Sequence, residues 1–335
     1  MRVLVTGASG TLGAATARAL AARGDRVTVL QRRPAGLGLP EVLADVADAD
    51  AVRAATIGQD VVVHLAARVG YSGTWSEYAS ANITGTRSVV AACRAAGAGR
   101  LVHVSSPSVA HAGSSLVGVG AGPADPSRAR GSYARSKAAA EQVALAAGGP
   151  DLAVTAIRPH LVWGPGDQQL IGRIVERART GRLVLVGTGA ALMDSTYTDN
   201  AVTALLAAVD RTEAAAGRAL VVSNGEPRPV AELMAGICGA AGVPGPRRSV
   251  PAGLAYAAGL VAEGIGRVRH REPPMTRFLA EQLSTAHWFD QRETRAVLDW
   301  RPEVSLDEGF DRLAAAYRGL GSAVEYNPKI GAATT

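Results

Sequence analysis

Lysine is nearly absent from this chain of 335 residues, in which Lys137 and Lys329 are the only two. Arginine therefore carries almost all of the positive charge. The formal net charge of +6 is dispersed along the sequence and does not form a basic run interleaved with aromatic residues. Proteins that bind nucleic acids concentrate basic residues in one patch or stripe. The dispersed pattern therefore argues against a nucleic-acid partner and favours an anionic small ligand.

Cysteine is also scarce. Cys93 and Cys238 are far apart, lie among apolar residues and show none of the spacings typical of metal ligands. Two buried free thiols are therefore expected rather than a disulfide, and no metal site is predicted.

No apolar run is long enough to span a membrane. The longest one covers residues 251–266 and contains Glu263, whereas a spanning helix needs about 20 apolar residues. The N-terminal residues lack a charged segment followed by an apolar core, so no signal peptide is predicted and a cytoplasmic protein is expected. For residues 251–266 we expect a packed helix or one that borders a substrate entrance, with contact to a membrane surface as the alternative.

The first 33 residues have the pattern of a strand, a glycine turn, a helix and a second strand. An apolar run at 2–6 precedes glycines at positions 7, 10 and 13, and a second apolar run covers 26–30. Glycines let backbone N–H groups approach a pyrophosphate at the N-terminus of a helix. The spacing G-x-x-G-x-x-G differs from the commoner G-x-G-x-x-G, but its position between a strand and a helix favours dinucleotide binding over a purely structural turn. The expected cofactor contacts in this turn are Gly7, Ser9, Gly10, Thr11, Leu12 and Gly13.

The end of the second strand carries Gln31, Arg32 and Arg33, where an NAD site usually has a carboxylate. A guanidinium can bind a 2′-phosphate that a carboxylate would repel. We therefore predict NADP(H), with Arg32 as the first contact and Arg33 as the second; two solvated surface arginines are the alternative. Asp45 is the last residue of the third predicted strand and Val46 follows it; Asp45 is placed to meet the adenine amino group.

Strands and helices alternate through the first half of the chain. This alternation predicts an α/β fold, a doubly wound parallel sheet of the Rossmann type. The predicted strands are 2–6, 26–30, 41–45, 60–66, 100–105 and 153–158, and the predicted helices are 11–23, 47–55, 78–95 and 132–146.

After Pro159 the regular alternation ends, and the pattern predicts a smaller, mainly helical substrate-binding lobe. The predicted helices there are 170–179, 200–210, 230–241, 254–267, 276–281 and 305–318, with strands at 182–186 and 219–223. We expect residues 1–165 to form an NADP-binding Rossmann domain and residues 166–335 to form mainly the lobe. The two are interleaved because the strand near 219–223 rejoins the sheet. Residues 319–335 are expected to be loosely ordered.

Three residues form the catalytic hypothesis. Tyr133 and Lys137 are four residues apart and therefore lie on one face of the predicted helix. A phenol is a weak acid at neutral pH, but a nearby ammonium and an oxidised nicotinamide favour the phenolate, so Tyr133 can donate a proton to a carbonyl oxygen. Ser106, after the fifth strand, would hydrogen-bond the same oxygen. Asn82, on the preceding helix, is predicted to hold a water molecule, or the lysine through its backbone; an ordinary helical asparagine is the alternative.

With these residues identified, the chain resembles the extended short-chain dehydrogenase/reductase superfamily over nearly its whole length. The motifs that carry the resemblance are T-G-A-S-G-T-L-G at 6–13, H-L-A-A at 64–67, Asn82 with Gly85, V-S-S-P-S-V at 104–109, Y-A-R-S-K at 133–137 and Arg158-Pro159. The resemblance implies that Ser106, Tyr133 and Lys137 are catalytic. It also implies that Leu65, Ala66 and Ala67 line the cofactor channel and that Pro159 begins the segment that meets the nicotinamide.

Within the superfamily, the segments 158–167, 223–227 and 271–278 are similar to the 3β-hydroxysteroid dehydrogenase branch. Segments 164–170 and 273–284 are similar to the 2-alkyl-3-oxoalkanoate reductases of bacterial long-chain olefin biosynthesis. That resemblance implies NADPH-dependent reduction of a two-tailed, long-chain β-keto acid to the hydroxy acid. Association with other enzymes of such a pathway and a homodimer are open alternatives.

Three other functions compete with this hypothesis. A steroid dehydrogenase shares the branch motifs. A nucleotide-sugar epimerase or dehydratase uses the same three catalytic residues, but Pro107 and Ser108 stand where sugar dehydratases carry an Asp-Glu pair. A non-catalytic NADP sensor would not need the intact set of catalytic residues.

Several residues are candidates for contacts with the substrate. The candidates for the carboxylate are His160, Arg277 and Gln168, with a packed core histidine as the alternative for His160. Tyr71, Trp75 and Met193 are candidates for the cavity wall, and Asp199 is expected to cap a helix rather than to act as an acid.

Overall fold

Seven short runs of mainly branched apolar residues form a parallel sheet. The computed structural model of the protein describes residues 1–70, 73–111, 113–269 and 275–321. The strands are β1 Arg2–Thr6, β2 Arg26–Gln31, β3 Glu41–Leu43, β4 Val61–His64, β5 Arg100–Val104, β6 Leu116–Val119, β7 Ala153–Pro159, β8 Val162–Trp163, β9 Leu185–Val186, β10 Leu192–Met193, β11 Thr196–Tyr197, β12 Ala219–Val222, β13 Arg228–Pro229, β14 Ser249–Val250 and β15 His287–Phe289. The large sheet has the order β12-β7-β5-β4-β1-β2-β3, and all of its pairings are parallel.

Helices cover both faces of this sheet. They are α1 Thr11–Ala22, α2 Ala49–Thr56, α3 Trp75–Tyr78, α4 Gly85–Ala96, α5 Gly131–Ala146, α6 Ile171–Arg179, α7 Thr198–Asp210, α8 Val230–Ala240, α9 Ala252–Arg269, α10 Arg277–Ser284, α11 Arg292–Leu298 and α12 Leu306–Gly321. One core joins the sheet to α1 and α7, and another joins it to α2, α4 and α5. The chain therefore has the predicted doubly wound, Rossmann-type architecture.

The order of the strands reverses at β1, because β2 and β3 lie on one side of it and β4 and β5 lie on the other. In doubly wound sheets a ligand binds beyond the carboxyl ends of the strands at this point. The glycine turn that follows β1 is located there.

A third apolar core belongs to the part of the chain that follows β7. It gathers side chains from α6, α8 and α12 around the fully buried Trp163, whose ring stacks on Phe310 at a centroid distance of 4.8 Å. β12 returns from this lobe to pair with β7. Four short strands, in the order β13-β10-β15-β6, form a separate small sheet.

The structure corrects several predicted elements. The helix predicted at 78–95 begins at Trp75 and includes a π-helical stretch, Ala79–Thr84, before α4. Of the strand predicted at 182–186 only β9 is paired. Residues 319–321, expected to be loose, complete α12, and residues 322–335 lie outside the described chain. The seven strands β6, β8, β10, β11, β13, β14 and β15 and the helix α11 had no prediction; the strands are two to four residues long and depend on distant partners.

Candidate active site

The glycine turn needs two of its glycines for different steric reasons. Gly7 has φ of +81°, and a Cβ on it would lie 2.6 Å from the backbone nitrogen of Ala66. A Cβ on Gly13 would lie 2.3 Å from the carbonyl oxygen of Gly7, so its absence permits the close approach of α1. Gly10 has neither constraint, since it is exposed, with φ of −88° and 3.5 Å from its Cβ position to the nearest atom. The open space beside Gly10 at the start of α1 fits a pyrophosphate.

The end of β2 presents two exposed guanidinium groups to the same cavity. Arg32 lies 3.8 Å from Asp45, and both side chains are largely exposed, so this ion pair contributes little stability. Gln31 also lines the cavity, but its amide donates a hydrogen bond to Glu41, which also accepts from the backbone of Ala35 at 2.8 Å. The Glu41 carboxylate therefore holds the loop that connects β2 to β3.

A chain of hydrogen bonds leads from β1 to α5 behind the cavity. His64 bridges the hydroxyls of Thr6 at 2.8 Å and Thr86 at 3.0 Å, and Thr86 donates to the carbonyl of Asn82 at 2.6 Å. Burial lowers the pKa of His64 to about 3, with a smaller contribution from Lys137, so the ring is neutral. Because Thr86 donates to Asn82, it accepts from His64.

Asn82 lies in the π-helical stretch, and its amide joins two segments. It accepts from the backbone N–H of Arg68 at 2.7 Å, and it donates to the Arg68 carbonyl and to the Ser136 hydroxyl, the latter at 2.8 Å. Ser136 is next to Lys137 on α5. These contacts make Asn82 a link between the π-helical stretch and α5. Its carbonyl accepts one hydrogen bond from Thr86 and has a second lone pair, so a bond to a water molecule or to the lysine stays a prediction.

Lys137 is buried, and its ammonium donates to the carbonyl of Val104 at the end of β5 at 2.6 Å. Burial lowers the pKa of Lys137 to about 8, while Glu141 acts in the opposite direction. Ser106 follows β5, and its hydroxyl oxygen accepts hydrogen bonds from the Ser108 backbone at 3.3 Å and the Ser108 hydroxyl at 3.0 Å. Its own proton is therefore available to a ligand. Tyr133 lies one turn before Lys137 on α5.

Arg158 and Glu141 form a buried ion pair between β7 and α5. Both side chains are 1% exposed, and the Arg158 Nε donates to Glu141 at 2.8 Å. A second guanidinium nitrogen donates to the carbonyl of Ala121. This pair fixes α5 to the sheet at the turn that follows Lys137.

One cavity of about 770 Å³ extends from the glycine turn and the end of β2 to the side chains at the end of β5 and at the start of α5. It is lined by every residue predicted to bind the cofactor and by Ser106, Tyr133 and Lys137, while Asn82 lies behind the wall. On the side of the lobe the wall is mostly apolar and includes Leu116, Ile174, Met193, Leu233, Met234, Ile237, Leu279 and Leu283.

The candidates for substrate contacts separate into two groups. Met193 and His160 line the cavity. Arg277 is bound instead to Glu263 at 2.9 Å, and the exposed Trp75 is covered by the guanidinium of Arg135 at 4.7 Å from its ring centroid. Gln168 packs beside Gly172. Tyr71 lies outside the described residues.

Asp199 does not cap α7 and the prediction was wrong: the helix begins at Thr198, two residues before the predicted start at 200, with Tyr197 at its N-cap. Asp199 pairs with Arg312 of α12 at 2.8 Å. Sequence reasoning also missed His111 and His287, two buried histidines of the cavity wall. His111 is five residues after Ser106, and this proximity was the available signal.

Both cysteines are buried free thiols, as expected. Among the described residues, no group of histidine, cysteine, aspartate or glutamate side chains is arranged to hold a metal ion. Within the same ranges, no helix has the length and apolar character needed to cross a membrane.

The doubly wound sheet and the cavity at its switch point define an NAD(P)-dependent oxidoreductase of the Rossmann type. The family model of the NAD-dependent epimerase/dehydratase family matches residues 3–223. The chain therefore belongs to this family, the extended short-chain dehydrogenases/reductases.

Known relatives include reductases, a steroid dehydrogenase and sugar-nucleotide enzymes. The chain is 43% identical over 328 residues to a 2-alkyl-3-oxoalkanoate reductase of Stenotrophomonas maltophilia, covering 94% of this chain and 99% of the relative. A reductase of the same name from Shewanella oneidensis is 38% identical, with coverage of 93% and 85%. A 3beta-hydroxysteroid-dehydrogenase/decarboxylase of Arabidopsis thaliana is 31% identical, covering 83% of this chain and 52% of that protein. The structure of MoeE5 with UDP-glucuronic acid and NAD has a TM-score of 0.74 and 26% identity, with coverage of 95% and 99%.

Proposed function

We propose that the protein reduces a long-chain 2-alkyl-3-oxoalkanoate to the 2-alkyl-3-hydroxyalkanoate with NADPH, in the biosynthesis of long-chain olefins. The observation that carries this proposal is the single cavity that joins the glycine turn, the Ser106, Tyr133 and Lys137 side chains and an apolar wall in the lobe. Alkyl chains fit such a wall because burying apolar surface is favourable. The two reductases to which the chain is 43% and 38% identical support the same substrate class.

The residues of the chain would divide the chemistry among them. Ser106 donates a hydrogen bond to the ketone oxygen, and Tyr133 transfers its phenolic proton to that oxygen. The buried ammonium of Lys137 favours the phenolate that remains. The bound nicotinamide supplies the hydride to the carbonyl carbon. Asn82 acts through Ser136 by keeping α5 in place.

The preference for NADPH rests on the end of β2. The exposed guanidinium groups of Arg32 and Arg33 line the cavity there. A fork of N–H donors suits a 2′-phosphate, and the weak pairing of Arg32 with Asp45 leaves it available to that ligand.

We propose that the reaction takes place in the cytoplasm beside a membrane surface, through α9. Leu254, Leu260, Val261 and Ile265 of this helix are 61%, 53%, 62% and 50% exposed. The segment 247–269 contains four arginines and one acidic residue, Glu263, which gives it a net charge of +3. Apolar residues flanked by basic ones are typical of helices that lie in the interface of anionic membranes. α9 packs on α10, which lines the cavity, so a lipid-like substrate would enter beside the membrane.

The substrate class is tested by oxidation with NADP⁺, followed by the absorbance of the reduced nicotinamide. A 2-alkyl-3-hydroxy acid replaces the β-keto acid, which decarboxylates spontaneously. We expect turnover of the hydroxy acid and none of a 3β-hydroxysteroid supplied in parallel. Turnover of the steroid alone would reject this proposal and would indicate a steroid dehydrogenase.

A further inference from the structure

Three buried histidines from three separate segments meet at the wall of the cavity. His111 ends the short turn that follows Ser106, His160 follows Pro159 at the end of β7, and His287 begins β15. The ring centroids of His111 and His287 are 4.7 Å apart, and those of His160 and His287 are 6.2 Å apart. The three residues are 1%, 6% and 1% exposed, and all three line the cavity.

The rings retain unused hydrogen-bonding capacity. Both nitrogens of His111 and the Nδ1 of His160 are buried and make no hydrogen bond of normal geometry to the described chain. Weaker contacts to the backbone of Ser114 and of Asp194 act to raise the pKa of His111 and of His160, against the larger effect of burial. His287 bonds the Thr285 hydroxyl at 2.7 Å through Nε2. Because Thr285 donates to the Glu281 carbonyl, it accepts from His287. A buried polar atom without a partner costs about 1–3 kcal/mol, and a ligand that supplies the partner removes this cost.

The surroundings keep the three rings neutral in the free protein. Burial lowers the pKa of His287 to about 3 and that of His160 to about 4, and it also lowers the pKa of His111. Arg130 adds to the effect on His111 and is itself paired with Glu281 of α10. The nearby carboxyl of Asp194 is bound to the Ser223 hydroxyl at 2.6 Å. An anion that enters the cluster would have the opposite effect, because a negative charge favours the imidazolium form.

We propose that His111, His160 and His287 form the site that binds the carboxylate of the substrate. This inference rests on the proposed function, since it assigns one group of the proposed β-keto acid. In such an acid only one carbon separates the carboxylate from the ketone carbon, so the residues that bind it lie next to Ser106. His111 satisfies this condition through the turn in which Ser108 bonds Ser106 at 3.0 Å and the His111 N–H donates to the Ser108 carbonyl at 3.3 Å.

Aromatic rings enclose the cluster. The ring of Phe278 contacts His111 edge-on at a centroid distance of 6.2 Å, and Phe289 contacts His160 in the same way at 5.0 Å. These rings exclude water from the anion and adjoin the apolar wall. The site therefore has a polar pocket for one carboxylate beside an apolar wall for alkyl chains. A 2-alkyl-3-hydroxy acid needs both.

Two arginines of the cavity wall are rivals for the carboxylate. Arg68 pairs with Glu77 at 3.4 Å, and its guanidinium lies 5.4 Å from the ring centroid of Tyr78. Arg173 lies on α6, in the apolar part of the wall. An arginine site would bind the acid without a change in protonation, whereas the histidine site takes up a proton from solvent when the neutral imidazole becomes imidazolium.

The test is calorimetric binding of a medium-chain 2-alkyl-3-hydroxy acid and of its methyl ester to the NADPH complex, in which the hydroxy acid cannot be oxidised, in two buffers of different ionisation enthalpy. We expect the acid to bind at least about tenfold more tightly than the ester near neutral pH, with net proton uptake. In the variants His111→Asn and His160→Asn we expect both the preference for the acid over the ester and the proton uptake to decrease, while the affinity for the ester stays unchanged. Retained affinity for NADP⁺ shows that each variant is folded. Arg173→Gln is the matched control and should keep the preference.

Three results would overturn the proposal: equal binding of acid and ester by the wild type, an unchanged preference in both histidine variants, or loss of the preference in Arg173→Gln alone. Because binding is measured without turnover, the outcome is separate from that of the proposed function. If the histidines bind the acid preferentially but the enzyme does not oxidise it with NADP⁺, the proposed reductase function is rejected and the carboxylate site is supported. If the enzyme oxidises the acid but the histidine variants keep their preference for it, the carboxylate site is rejected and the reductase function is supported.

Discussion

At the scale of single residues, the proposed chemistry depends on Lys137, a lysine that the fold buries. Lys137 is buried, contacts the Val104 carbonyl and has a pKa lowered by burial to about 8. It is therefore still charged at neutral pH, but it loses its proton within the range in which enzymes can be assayed. Sequence spacing predicted the Tyr133 and Lys137 pair. The burial of Lys137 could not be predicted, because it requires α5 to pack against the sheet that contains β5 and β7.

We expect the pH profile of ketone reduction to report this lysine. As pH rises through about 8, Lys137 loses the charge that favours the phenolate of Tyr133, so kcat/KM should fall on the alkaline side. Lys137→Met should have a low kcat/KM without this alkaline limb. A wild-type profile that stays flat to pH 9.5 would contradict the assignment.

We expect Arg32 to determine the choice between NADPH and NADH. Arg32→Ala should weaken NADPH binding by about 1.5–3 kcal/mol, the range of a hydrogen bond to a charged group, and should affect NADH much less. Dissociation constants for both cofactors, measured by quenching of protein fluorescence, provide the comparison. Arg53→Ala, which removes an exposed arginine of α2 paired with Asp50, is the control. Equal losses for NADPH and NADH in Arg32→Ala would exclude the contact with the 2′-phosphate.

At the scale of elements, α5 is held from two sides. Asn82 bonds Ser136 from the π-helical stretch, and Arg158 bonds Glu141 from β7. The sequence suggested both residues as parts of family motifs, but it did not show their partners, because each contact spans a large separation in the chain. Long elements with clear apolar patterns were predicted from the sequence, and the short strands of the lobe were not, because strands such as β9 and β10 have only two residues and depend on distant partners.

The ion pair of Arg158 predicts a large effect on stability. Arg158→Met leaves Glu141 as an unpaired buried charge and should lower the free energy of unfolding by about 3–5 kcal/mol. Chemical denaturation monitored by circular dichroism measures the change. The double variant Arg158→Met with Glu141→Leu should recover much of the loss, because it contains no unpaired charge. A double variant as unstable as the sum of its single variants would contradict this explanation.

At the scale of the whole molecule, the exposed face of α9 predicts where the protein works. Leu260→Glu with Val261→Glu should reduce sedimentation with vesicles that contain anionic lipid and should leave the oxidation of a water-soluble hydroxy acid unchanged. Ile57→Glu is the matched control, because Ile57 is 67% exposed but lies next to α2. Wild-type protein that does not sediment with anionic vesicles, or that instead forms dimers broken by the α9 substitutions, would reject the membrane contact.

A net reduction in this cavity is tested by the transfer of deuterium from NADPH labelled at the hydride position. The β-keto acid is generated in the presence of enzyme and labelled cofactor, and the product is analysed by mass spectrometry. We predict one deuterium at the carbinol carbon of the 2-alkyl-3-hydroxy acid with the wild type, and none with Tyr133→Phe, which should still bind NADPH. Label that stays in the cofactor while the wild-type enzyme consumes the keto acid, or equal transfer by Tyr133→Phe, would contradict the account.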